Sequence, residues 1–141
     1  MSTLFLSSKH HTQIANHAQA GYPSEVVGII AGSKTHNRIS LVQSLENERS
    51  DTNNRYKVSG LTLYRATQAL EAEGLDILGY YHSHPDHPSQ YSDFDRDHAL
   101  PNLSYLIISV QKGTAAQLQS WRLTEDRSLM LEETIDFFDS E

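Results

Sequence analysis

The stretch that most constrains this chain runs from Ile77 to Asp95, where an apolar segment ends in His82-Ser83-His84-Pro85 and is followed by Ser92-Asp93-Phe94-Asp95. In a strand, residues i and i+2 point to one face, so the imidazoles of His82 and His84 converge on one point if Ile77 to His84 is extended. Pro85 has no N–H to donate and ends the ladder, so the chain leaves the sheet just past the second histidine. Ser92 reads as a helix N-cap with Asp95 at N3, an arrangement that can return a carboxylate to the same point. Two neutral imidazoles and one carboxylate leave zinc a fourth position for water, the pattern of a catalytic rather than a structural site. Water held there is expected to be acidified, to a pKa of about 7. His87, His98, Asp93 and Asp97 lie close by in sequence and are read as loop residues around the ligands, since three ligands already leave the open position.

The segments around this stretch predict a sheet with helices against it. Thr3 to Leu6 is short and apolar and reads as an edge strand, with Ser7 or Ser8 capping a helix that runs to about Ala20. Ile14, His17 and Ala18 share one face of that helix, which makes His17 a packed interior histidine rather than a ligand. Glu25 to Gly32 is an almost continuous β-branched run, as in a strand buried on both faces. Glu25 at its mouth is either solvated or functional. Ser33 to Asn37 reads as a turn and Ile39 to Leu45 as the partner strand. The polar segment Glu46 to Arg55 is a loop and a candidate lid, and Tyr56 to Val58 resembles a short strand. Ser59 caps a helix with Leu63, Ala66, Thr67 and Leu70 on its inner face, stopped at Gly74. After the helix begun at Ser92, Tyr105 to Val110 and Ala116 to Leu123 are strands, joined by a Lys112-Gly113 turn. Met130 to Phe138 is a last edge strand or a frayed tail. The order points to an α/β chain in the broad sense and α+β in detail, with a mixed, mostly antiparallel sheet flanked by helices.

Composition narrows the chemistry. With 141 residues the chain is read as one domain spanning 1–141. Cysteine is absent, so any metal is held by histidine and carboxylate, and no thiol nucleophile exists. The formal net charge of -7 carries no basic patch, which argues against a nucleic-acid partner. No run reaches membrane-spanning length and the first residues lack the pattern of a signal peptide, so a cytoplasmic location is expected.

His82-Ser83-His84-Pro85, six residues, then Ser92-x-x-Asp95, preceded by Pro23-x-Glu25-x-x-Gly28, resembles the JAMM motif of the MPN/JAB metallopeptidases, and in particular their short stand-alone prokaryotic members. The likeness extends from the helix around Ile14 through Trp121. Val27 stands where members often carry a cysteine, a difference that should affect packing only. The resemblance implies an MPN/JAB (cytidine-deaminase-like) architecture and one Zn2+ per chain, bound by His82, His84 and Asp95. It also implies that Glu25 passes a proton from the zinc-bound water to the leaving amine. Ser92 would hydrogen-bond the tetrahedral oxyanion, as well as capping its helix or only capping it. The implied substrate is a ubiquitin-like sulfur-carrier protein with a Gly-Gly tail, cleaved at a peptide or isopeptide bond beyond that tail. Alternatives are a hydrolase of the same type acting on a small peptide or amino-acid conjugate, and a non-catalytic MPN scaffold. Iron, cobalt or manganese can also occupy such a donor set. A homodimer paired through the C-terminal strand is a further possibility at this level.

Overall fold

The computed structural model describes residues 2–47 and 58–139. Ten elements follow one another: β1 (Thr3–Ser7), α1 (Ser8–Gly21), β2 (Val27–Ser33), β3 (Arg38–Leu45), α2 (Gly60–Ala72), β4 (Asp76–Pro85), α3 (Asp93–His98), β5 (Ser104–Gln111), β6 (Thr114–Leu123) and β7 (Met130–Phe138). The strands form one mixed sheet in the order β1-β3-β2-β4-β5-β6-β7, curled until its ends meet as a closed barrel. Pairings β2 with β3, β2 with β4, β5 with β6 and β6 with β7 are antiparallel, whereas β4 with β5 and β1 with both its neighbours are parallel. The α+β reading with a mixed, mostly antiparallel sheet is borne out.

Helix placement follows from which strand faces are apolar. Ile14 and Ala18 of α1 pack with Leu4, Leu6, Ile30, Ile39, Leu106 and Ile108 of the strands in one core cluster. On the other face of β2, Val27, Ile29 and Ala31 meet Leu70, Leu63 and Ala66 of α2. That two-sided burial is why β2 reads as a continuous apolar run instead of alternating. Ser7 caps α1 and Ser59 caps α2, each accepting from a backbone N–H two or three residues into the helix. Past the end of α2, Gly74 takes φ +83, a left-handed turn open to glycine at little cost.

Two expectations are corrected at the seam. Thr3 to Leu6 is not an edge strand, because β1 lies between β3 and β7, with Leu4 and Leu6 fully buried. Met130 to Phe138 is neither edge nor frayed, because β7 pairs with β6 on one side and with β1, from Thr3↔Thr134 to Ser7↔Phe138, on the other. β7 is thus shared between its two neighbours, with Met130 to Glu133 on β6 and Thr134 to Phe138 on β1. A polar knot steadies this seam: buried Glu133 of β7 accepts hydrogen bonds from Ser104 at 2.7 Å and Ser120 at 2.8 Å, and Arg122 lies 3.6 Å away.

Residues 48–57 lie outside the described residues, and with them most of the expected lid and the start of the expected strand at Tyr56. Val58 itself is not in a strand. Among the described residues no helix is long and apolar enough to cross a membrane.

Candidate functional site

The site forms where β4 hands over to the crossover that leads to β5. A bulge displaces the register of β4 against β2 between Ile30 and Ala31, ahead of the histidines, so normal alternation resumes before His82. His82 and His84 therefore share a face, as their spacing requires, and their Nε2 atoms lie 3.3 Å apart. Pro85 is the last strand residue, and Asp86 turns the chain with φ 57. Ser92 then starts α3 with a full capping box: its side chain accepts from the Asp95 N–H, and the Asp95 carboxylate accepts from the Ser92 N–H at 2.8 Å. The box fixes the carboxylate, which meets His82 Nε2 through Oδ1 at 3.0 Å and His84 Nε2 through Oδ2 at 3.2 Å.

These three residues form a group that could hold a metal ion, their ligand atoms all within 4.8 Å of one another. Their chemistry fits a divalent ion. Two ligands bonded to zinc at about 2.05 Å in tetrahedral geometry stand about 3.3 Å apart, the separation seen between the two imidazoles. The tautomer is also right. His84 Nδ1 lies 2.9 Å from the Pro88 carbonyl, which can only accept, so in the neutral ring, the form a metal takes, Nδ1 carries the proton and Nε2 presents its lone pair.

The electrostatics point the same way. Burial alone would raise the Asp95 carboxyl, but hydrogen bonds from His82 and His84, the His82 charge and the Ser92 N–H outweigh it and hold Asp95 well below the usual carboxylate range. For His84, burial acts downward, but the bond and charge of Asp95, the Pro88 carbonyl and the nearby Glu25 charge together raise it. Negative charge is thus concentrated on a point faced by three donors, which suits a cation.

Glu25 is 7% exposed, so the solvated alternative is overturned. It stands two residues ahead of β2, which begins at Val27. Its backbone is held there by neighbours: Asn47 donates to the Glu25 carbonyl at 2.8 Å, and Val26 is bound twice by Ser83, whose hydroxyl accepts from the Val26 N–H at 2.9 Å and whose N–H donates to the Val26 carbonyl. Ser83 is a positioning contact for the segment that carries Glu25, and sequence reasoning passed it over. A polar residue with no exposure, set between two ligands on an apolar strand, was the available signal. Glu25, His84, Ser92 and Asp95 line one open cavity of about 440 Å³, together with Pro88, Gln90 and Phe94. Asp93 and His87 line it too, whereas Asp97 and His98 do not. His17 lies elsewhere, half-buried, with Nδ1 2.6 Å from the Tyr81 hydroxyl; burial lowers its pKa. It takes no part in the cluster.

A curled mixed sheet around one helix, carrying His-x-His at the end of a strand and a capping-box aspartate, defines a JAB-type metal-site domain. The chain belongs to the family of prokaryotic homologs of the JAB domain, which it matches over residues 7–124. It is similar to the desampylase of Haloferax volcanii, with 30% identity over 133 residues that cover 91% of this chain and 94% of that one. It is also similar to a probable TtuB-protein conjugate cleaving protease of Thermus thermophilus, with 36% identity over 85 residues that cover 60% of this chain and 55% of that one. Among solved structures, protein DSY2949 from Desulfitobacterium hafniense superposes with a TM-score of 0.81 at 26% identity, over 99% of this chain and 94% of that one. AF2198, a JAB1/MPN domain protein from Archaeoglobus fulgidus, shares the fold with a TM-score of 0.58 at 14% identity, over 96% of this chain and 97% of that one. The family and fold implied by the motif are thereby established.

Proposed function

We propose that this protein is a zinc metallopeptidase that hydrolyses a peptide or isopeptide bond at the Gly-Gly C-terminus of a ubiquitin-like sulfur-carrier protein in the cytoplasm. The observation that carries this reading is the buried Glu25, which lines the same cavity as His84 and Asp95, two members of the three-residue cluster with His82. Support for the substrate class comes from the two curated relatives, one named a desampylase and the other a probable TtuB-protein conjugate cleaving protease.

His82, His84 and Asp95 would hold a metal ion that, when bound, would supply Lewis-acid polarisation of a carbonyl and a water acidic enough to react near neutral pH. Glu25 takes the proton from the attacking water and delivers it to the leaving amine nitrogen, a task that suits a carboxylate fixed by the backbone and sheltered from bulk solvent. Ser92 keeps its hydroxyl hydrogen while its oxygen accepts from Asp95, and so can donate toward the carbonyl oxygen as charge builds there. The two roles of Ser92 separate by experiment. Ser92→Ala should cost about 1 kcal/mol of stability from the lost cap and about 10²-fold in kcat from the lost donor. A stability loss with unchanged kcat would reduce Ser92 to a cap.

The function itself is tested by offering the zinc-loaded protein a panel of reporter fusions. Some are joined through Gly-Gly to a ubiquitin-like sulfur carrier, by a peptide or a lysine isopeptide bond, and others are unrelated peptides of equal length. Cleavage confined to the bond after Gly-Gly, stopped by a chelator and restored by zinc, is the expected result. Equal cleavage of the unrelated peptides would sink the substrate assignment, and no cleavage of either would sink the enzyme.

A further inference from the structure

The loop between Pro85 and Ser92 contributes no metal ligand, yet side chains of β5 and β6 grip it closely. On one side of Pro88, the His87 carbonyl accepts from the Ser109 hydroxyl at 2.6 Å and from Gln111 Nε2 at 3.2 Å. On the other side, Ser89 is completely buried; its hydroxyl donates to Gln119 Oε1 at 2.6 Å, and its carbonyl accepts from Trp121 Nε1 at 2.9 Å. Gln119 is 8% exposed, and its own orientation is set from behind, because Nε2 donates to the Glu132 carboxylate at 3.0 Å. A carboxylate only accepts, so the amide nitrogen must face Glu132 and the amide oxygen must face Ser89.

The Pro88 carbonyl and the Ser89 Cα belong to one rigid peptide plane. Fixing Ser89 therefore aims the Pro88 carbonyl, which in the neutral ring fixes the proton of His84 on Nδ1 and leaves Nε2 bare toward the cluster. We infer that Gln119 is a positioning residue for the metal centre, acting through the Ser89 hydroxyl and the Pro88 carbonyl on the tautomer and orientation of His84. This rests on the reading of His82, His84 and Asp95 as metal ligands. Glu132 belongs to the same relay, one step further out.

The test is a zinc titration of the full chain, with zinc(II) alone competed against a chromophoric chelator, run beside thermal unfolding of the metal-free protein. Gln119→Leu removes the acceptor for Ser89 and is expected to weaken zinc binding about tenfold, the low end of the range for partners outside the ligand sphere. The double variant Gln119→Glu with Glu132→Gln again offers an oxygen to Ser89 and reverses the donor on the outer bond. It is expected to bind zinc within about twofold of wild type. A Gln119→Leu protein that unfolds earlier but binds zinc as tightly as wild type overturns the inference, since a merely structural role predicts that result. So does a double variant that binds as weakly as Gln119→Leu. A wild type that holds no zinc overturns the metal-centre reading itself, so the two failures are distinct.

Discussion

Glu25→Gln is expected to lower cleavage by about 10²- to 10⁴-fold, the usual contribution of a positioned proton-transfer group, while zinc binding stays at the wild-type level. The substitution keeps the size of the side chain and an oxygen acceptor but removes the ability to take a proton. Backbone bonds at this position are left in place, from Asn47 to the Glu25 carbonyl and between Val26 and Ser83, and Glu25 is not a member of the ligand cluster. Metal content by elemental mass spectrometry and single-turnover cleavage rates give the two readings. A variant that cleaves at the wild-type rate with metal bound would remove Glu25 from the mechanism.

His84→Ala is expected to abolish both metal binding and activity. With two of three donors left, the site loses one imidazole bond and also the partner that holds one oxygen of Asp95. Zinc at about 100 times its Kd should stabilise wild type by about 2.7 kcal/mol, a rise in Tm of about 5–10 °C for a chain of this size. The variant should show no rise. The comparison is between shifts with and without zinc, because the metal-free variant also loses the His84 contact that helps to hold Asp95 low. An undiminished shift in the variant would mean that zinc binds elsewhere.

The parts of this site that were legible in the sequence are those made by local rules. His82 and His84 follow from strand alternation, and Ser92 with Asp95 from the capping box, because each relation spans a few residues of one element. Glu25 was legible only through the family motif. Its composition fits a solvated strand mouth equally well, and its burial depends on β2 pairing with β4, which no short pattern encodes. The closing seam was misread for a similar reason. Along β7 the buried positions do not alternate, since Met130 and Glu133 are both buried and Glu133 satisfies its charge against Ser104, Ser120 and Arg122. A buried carboxylate breaks the period-two signal, and the strand passes for an exposed tail. The grip of Gln119 on Ser89 was invisible because it joins residues 30 positions apart through two polar side chains of ordinary type.

The capping box and the strand end bring the ligands from close quarters: His84 and Asp95 are 11 positions apart, whereas the Val26 to Ser83 contact that carries Glu25 joins residues 57 positions apart. The entropy of closing a loop grows with its length, so the ion's pocket is a short-range assembly and the proton acceptor arrives by a long-range one. The cluster's capping-box arm is thus local to one stretch of chain, whereas Glu25 joins it only through the pairing of β2 with β4.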